Sequence, residues 1–349
     1  MSIESNSRLS ARHLVAAALL CGLLAAPVLL AGQQPYKVLD RWKIGGEGGW
    51  DYLIVDSPAH RLYLTRGARV DVLDTRTGKP VGSIGGLQGT HGVAFDTDGK
   101  FGYISDGRAN AVVVFDRATL ATVATIPAGT GPDGIIFEPA TKTVWAFNGR
   151  SKDVSVIDAA TRKVVATIPL PGKPEFPAVD GKGTVFDNIE DKNEVVRLDA
   201  NTKTLTATWP LTDCESPSGL AFDVPGARLF PVCDGKKMAV VDSNTGKTLA
   251  NPAIGDGPDA AGWSAAHRLA FASSGDGILS VIDAGTPEYK TIESLPTQRS
   301  ARTMAYDPAT DRIYLVAAEF GPRPDPTPDN PRPRPTMVPG SFSVLVVGR

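Results

Sequence analysis

A short apolar segment closed by aspartate recurs six times along this chain, and its spacing constrains the fold more than any other feature. The copies are Val70–Asp74, Val112–Asp116, Val154–Asp158, Val195–Asp199, Met238–Asp242 and Leu279–Asp283. Their closing aspartates stand 42, 42, 41, 43 and 41 residues apart. Each is followed three positions later by threonine: Thr77, Thr119, Thr161, Thr202, Thr245 and Thr286. A carboxylate so placed accepts backbone N–H groups two or three residues on, which fixes a tight turn between two strands. Valine and isoleucine before it favour a strand.

A second register runs in phase. Apolar runs end at Asp56, Asp96, Glu138, Asp180, Asp223 and Asp307, with Ser264 in the sixth copy. A third strand lies between the registers, as in Arg61–Thr65 and Arg312–Leu315, and a fourth follows the aspartate turn, as in Ala121–Ile126. Four short strands in each unit of about 42 residues is the pattern of a β-propeller. Seven first strands are countable, but the last unit stops without its fourth. Tyr36–Ile44 stands spare before the first unit. The sequence therefore predicts an all-β, seven-bladed β-propeller over residues 36–349, with four-stranded antiparallel blades. The N-terminal strand joins the last blade and closes the ring, which leaves only short sheet edges.

Residues 1–32 read as a cleaved secretory signal: Arg8 and Arg12, the apolar run Leu14–Leu30, then small Ala31 and Gly32. An uncleaved anchor is the alternative, but the run is shorter than a spanning helix and holds Pro27. Leu20 before Cys21 argues against a lipid anchor. The expected location is periplasmic or secreted, with no stable membrane span in the mature chain, as a monomer. Two cysteines remain after export, Cys214 and Cys233. An even count in an oxidising compartment permits a disulfide; two free thiols or a soft metal site are the other readings. The net charge is −2 without a basic cluster, which excludes the usual footprint of a nucleic-acid binder.

The third-strand ends resemble the Tyr-Val-Thr-Asn repeat proteins, including the YncE-like exported propellers. Leu62–Arg66, Val144–Asn148 and Val185–Asn188 carry the resemblance. It implies the propeller fold over residues 36–349 and names no activity. The motif's Asn is replaced by Arg66, Asp106, Cys233, Ser273 and Ala317 in other blades. A proline-rich segment, 321–340, interrupts the last blade between its second and third strands. Such a run favours extended backbone without internal hydrogen bonds, as a plain solvated loop or as a flap near the site.

Antiparallel pairing puts the start of each first strand and the end of each second strand at one face. The strand starts give a ring of Asp51, His91, Asp133, Glu175, Ser218, Asp259 and Arg302. The second-strand ends add Arg66, Asp106, Asn148, Asn188, Glu190, Cys233, Ser274 and Glu319, and Glu215 lies in the loop before blade five. Converging acids focus a negative potential that water, arginine or a cation must compensate. Oxygen ligands in this number suit Ca²⁺ or Mg²⁺, with Glu175, Asn188 and Asp259 as the expected set. The plain alternative for each acid is satisfying local backbone donors.

Motifs for a nucleophile elbow, a zinc protease helix or a phosphate-binding loop are missing. Three functions stay open. The chain binds a small molecule, a cation or another envelope protein at the channel mouth. It is a metal-assisted hydrolase, lactonase or lyase on the same residues, with His91 moving a proton. Or it is an accessory subunit of an envelope redox enzyme.

Overall fold

In the computed structural model, residues 34–327, 330–331 and 333–349 are described. The signal sequence expected over 1–32 lies outside them. Seven antiparallel sheets form the seven blades. In blade one, strands a to d run Leu53–Asp56, Arg61–Thr65, Val70–Asp74 and Pro80–Ile84, each paired with the next. The a strands of successive blades touch in a closed cycle, with Met304–Asp307 of blade seven against Leu53–Asp56 of blade one. Closure is as the sequence predicts: Lys37–Lys43 pairs antiparallel with Ser343–Gly348 as the fourth strand of blade seven.

The sequence pattern explains which strands are buried. In blade three, strand b (Thr143–Asn148) is buried along its whole length, whereas strand d (Lys163–Pro169) is mostly exposed and buries only Ile168. Seven apolar clusters fill the seven spaces between adjacent blades. Each large side chain buried there contributes roughly 1.5–3 kcal/mol.

The aspartate turns form as expected. Asp116 accepts the backbone N–H groups of Ala118 and Thr119 at 3.0 and 2.8 Å, and Asp199 those of Asn201 and Thr202 at 2.8 Å each. In blade five the third strand is split into Lys237–Met238 and Val240–Asp242. Its neighbour there is Pro231, which has no N–H to give the ladder.

Cys214 and Cys233 form the disulfide, with Cα atoms 5.2 Å apart. The proline-rich segment sits between the second and third strands of blade seven, but it is not free of hydrogen bonds. It doubles back, with Phe320 bridged to Met337 and the Gly321 amide donating to Thr336 O at 2.9 Å. Among the described residues, no helix is long and apolar enough to cross a membrane.

Candidate functional site at the channel mouth

Strand starts from different blades meet around the axis at one face. Tyr52, buried in blade one, marks their centre. Burial holds its hydroxyl proton first, and the fields of Asp133, Glu175, Asp51 and Asp259 hold it further. Those four acids come from blades three, four, one and six. Their convergence follows from the repeat, because each occupies the same place at the start of strand a.

His91 of blade two links two of them. Its Nδ1 lies 2.6 Å from Asp51 Oδ2 and 3.4 Å from Asp133 Oδ1. Burial lowers the His91 pKa, but the Asp51 hydrogen bond and the surrounding acids outweigh it and raise the pKa to about 9. Burial raises Asp133 to about 6 against the opposing charge of His91. Glu175 rises to about 8 by burial and by the field of Asp133, although Lys173 opposes the shift. Asp259 rises to about 7 by burial; Arg302, its Nε 3.3 Å from Asp259 Oδ2, opposes. Lys173 also pairs with Glu190, which places Glu190 beside these acids.

Two aromatic rings floor this acidic cup. Tyr52 and Phe176 meet edge to face across the channel, from blades one and four, with centroids 4.9 Å apart. The same position holds Gly92, Gly134, Gly219, Ala260 and Thr303 in the other blades. Their small side chains leave the space that the two rings fill. Two mainly apolar pockets of about 320 and 340 Å³ lie against these rings and share Leu53, Ile54 and Phe176 in their walls.

Several sequence-predicted residues lie elsewhere. The last residues of strand b hold the loop that leads into their own blade rather than the channel. Arg66 donates to Glu47 O at 3.0 Å and stacks on Phe342. Asp106 accepts from the Gln88 and Gly89 amides. Asn148 donates to Asp153 and to Ser155 Oγ, which receives the Gly129 amide. In blade five the disulfide occupies this place, tying Cys233 at the strand end to Cys214 in the loop. Consecutive strand residues point to opposite sides, so a strand can end at the mouth and still aim its last side chain away from it.

Asn188, one position earlier in the repeat, donates to Ser218 O at 2.7 Å and Gly219 O at 3.2 Å, stitching blade four to blade five. Ser218 is at the ring but donates to the backbone of Pro258 and Asp259. Glu215 is exposed and bridged to Asp234. Glu319 is exposed at the base of the proline-rich segment.

Sequence reasoning missed Asp187. It lies in strand b of blade four and is 0% exposed, with no hydrogen bond to either carboxylate oxygen. Burial, first, and the field of Glu175 push its pKa far up. The carboxyl group lies beside the Glu175 amide without an aligned hydrogen bond. Val185 and Ile189, on the same strand face, belong to the apolar cluster between blades three and four. The equivalent residues of the other blades are Leu64, Ile104, Ala146, Pro231, Ala272 and Leu315. Aligning the strands in register exposes this single acid among apolar residues.

No family model matches the chain, and no curated protein matches it. Among solved structures it is similar to a chain of Kuenenia stuttgartiensis hydrazine synthase, at 15% identity and a TM-score of 0.68, over 76% of this chain and 92% of that one. It is also similar to U3-55K, at 11% identity and a TM-score of 0.72, over 89% of this chain and 98% of that one. At these identities the likeness shows the propeller fold alone.

Proposed function

We propose that the chain is an exported ligand-binding propeller of the Tyr-Val-Thr-Asn repeat type, whose acidic mouth takes a small cationic ligand. The carrying observation is the gathering of Asp51, Asp133, Glu175 and Asp259 from four separate blades around Tyr52, with Glu175 Oε2 3.5 Å from its hydroxyl and Asp51 and Asp133 both facing His91. Lys173, Arg302 and His91 offset part of this charge. Glu175, near 8, and Asp259, near 7, hold protons around neutral pH. A bound cation replaces those protons, so binding tightens as pH rises from 6 to 8. Export is supported by the N-terminal signal pattern and by the Cys214–Cys233 disulfide, which suits an oxidising compartment.

Calorimetric titration with 1,4-diaminobutane, at pH 6 and pH 8, tests the reading. Binding is expected at pH 8, weaker at pH 6, and lost in the double variant Glu175→Gln, Asp259→Asn. Asp116→Asn, at an outer turn, leaves it unchanged. Absence of any binding at pH 8, or equal binding by the double variant, removes the proposal.

A further inference from the structure

The mouth contains a more specific arrangement than a general excess of acid. Asp51, His91 and Asp133 start strand a in three consecutive blades, and one ligand-type atom from each lies within 4.8 Å of the other two. We propose that these three residues hold a divalent transition-metal ion of the Zn²⁺ class, with its remaining positions open to water or ligand. This rests on the mouth being the binding site, and deepens that reading by naming the ion and its ligands.

The hydrogen-bond count argues for it. His91 Nδ1 carries one hydrogen at most, yet two carboxylates face it, at 2.6 and 3.4 Å. The proton serves Asp51 and leaves Asp133 Oδ1 facing the same nitrogen without one. An ion satisfies all three donor atoms at once. Ligand atoms about 2.0–2.2 Å from Zn²⁺ stand roughly 3–3.5 Å from each other. The His91–Asp133 edge already fits, the His91–Asp51 edge opens by less than about 1 Å when an ion replaces the shared proton, and the Asp51–Asp133 edge, within 4.8 Å, is drawn in by the ion.

An independent observation points the same way. Asp187 is fully buried with both carboxylate oxygens unpartnered, beside Glu175 and within the field of Asp133. Asp259 Oδ2 is also buried, and Arg302 Nε, 3.3 Å away, pairs with its charge without an aligned hydrogen bond. Carboxyl oxygens at the mouth thus outnumber the hydrogen-bond donors that reach them, and a dication bound there compensates the ionised ones.

Donor chemistry selects the ion. Ca²⁺ and Mg²⁺ take oxygen ligands, whereas one imidazole with two carboxylates suits Zn²⁺. The ligand set expected from the sequence is already engaged. The Asn188 amide is spent on blade five, Glu175 on Lys173, and Asp259 on Arg302. Gly107 makes room for the His91 ring, because a Cβ there would stand 2.8 Å from Nε2.

The test is calorimetric titration of the chelator-stripped protein with ZnCl2, with the visible absorption of added Co²⁺ as a second readout. One equivalent is expected to bind, unaffected by equimolar Ca²⁺ or Mg²⁺. Affinity should fall at least about 100-fold in His91→Gln and in Asp133→Asn, and about 10-fold in Gly107→Ala, which shifts the ring without removing a ligand. Circular dichroism confirms that each variant is folded. Zn²⁺ binding of equal affinity in folded His91→Gln overturns the site. So does a wild-type protein that binds 1,4-diaminobutane but no Zn²⁺, and that result leaves the acidic-mouth reading standing. Failure to bind either probe overturns both.

Discussion

Carboxylates recur at two levels of this molecule, the outer turns and the channel mouth, and are set there to opposite electrostatics. In the outer turns, neighbouring N–H and hydroxyl donors stabilise the ionised form. The backbone N–H of Thr119 is the main cause that lowers Asp116, and that of Thr161 lowers Asp158. Arg76 takes Asp74 to about 2. At the mouth, burial and mutual repulsion dominate, and Glu175 and Asp259 are held high. The outer ring repeats nearly without change, since each of the six blades whose third strand turns into a fourth needs the same turn. The inner ring holds Asp, His, Asp, Glu, Ser, Asp and Arg in order. Repetition marks what each blade needs to fold; divergence at an equivalent position marks what the whole ring can do once assembled.

The largest effect that sharpens this contrast falls on the scaffold. Replacing both Cys214 and Cys233 by serine opens a closed loop of 19 residues and should cost about 3 kcal/mol in denaturant unfolding. Diamine binding by the folded variant should persist, since the bond clamps a loop and does not face the ligand. Next is Asp187→Leu, which restores the residue type of its repeat position. It should stabilise by about 1–3 kcal/mol, by removing a buried acid that lacks hydrogen bonds. A loss of stability there would show that Asp187 has a partner.

A smaller effect separates the rings by pH. An acid whose folded pKa lies above its unfolded one stabilises the fold while protonated. For Glu175 and Asp259 that contribution is complete below the ordinary values of 4.5 and 3.8, and is lost as pH passes about 8 and about 7. The outer acids act in reverse. Their lowered values make a contribution present above the ordinary 3.8, lost as pH falls through the folded values. The melting temperature should therefore fall on both sides of mildly acidic pH. Glu175→Gln with Asp259→Asn should flatten the alkaline limb alone. The smallest change is expected for Asp158→Asn, which should lower the melting temperature slightly and shallow only the acid limb. A variant of one ring that alters the other limb would break the comparison.

What was legible in the sequence follows the same division. Strand order, the aspartate turns and ring closure could be read because they depend on spacing, which a single chain displays. The ring of strand starts could be read from antiparallel pairing alone. The aim of individual side chains could not: Asn148 and Arg66 reach the correct face but serve a loop, because alternation along the strand turns them away. The Tyr52–Phe176 contact joins blades one and four, so no local pattern announces it. Lys173 lies between Gly172 and Pro174 as an apparent turn residue, and only the assembled mouth reveals its pairing with Glu175 and Glu190. Asp187 was readable in principle, but only with all seven second strands laid in register.

The pairing that fastens blade seven also sets how the molecule yields to force. Lys37 lies opposite Gly348 and Lys43 opposite Ser343, so both outer ends of the clasp are at the same edge. Tension applied between the two chain ends loads these hydrogen bonds one pair at a time, like a zipper, instead of shearing them together. The ring is thus open to mechanical peeling from a single corner of blade seven.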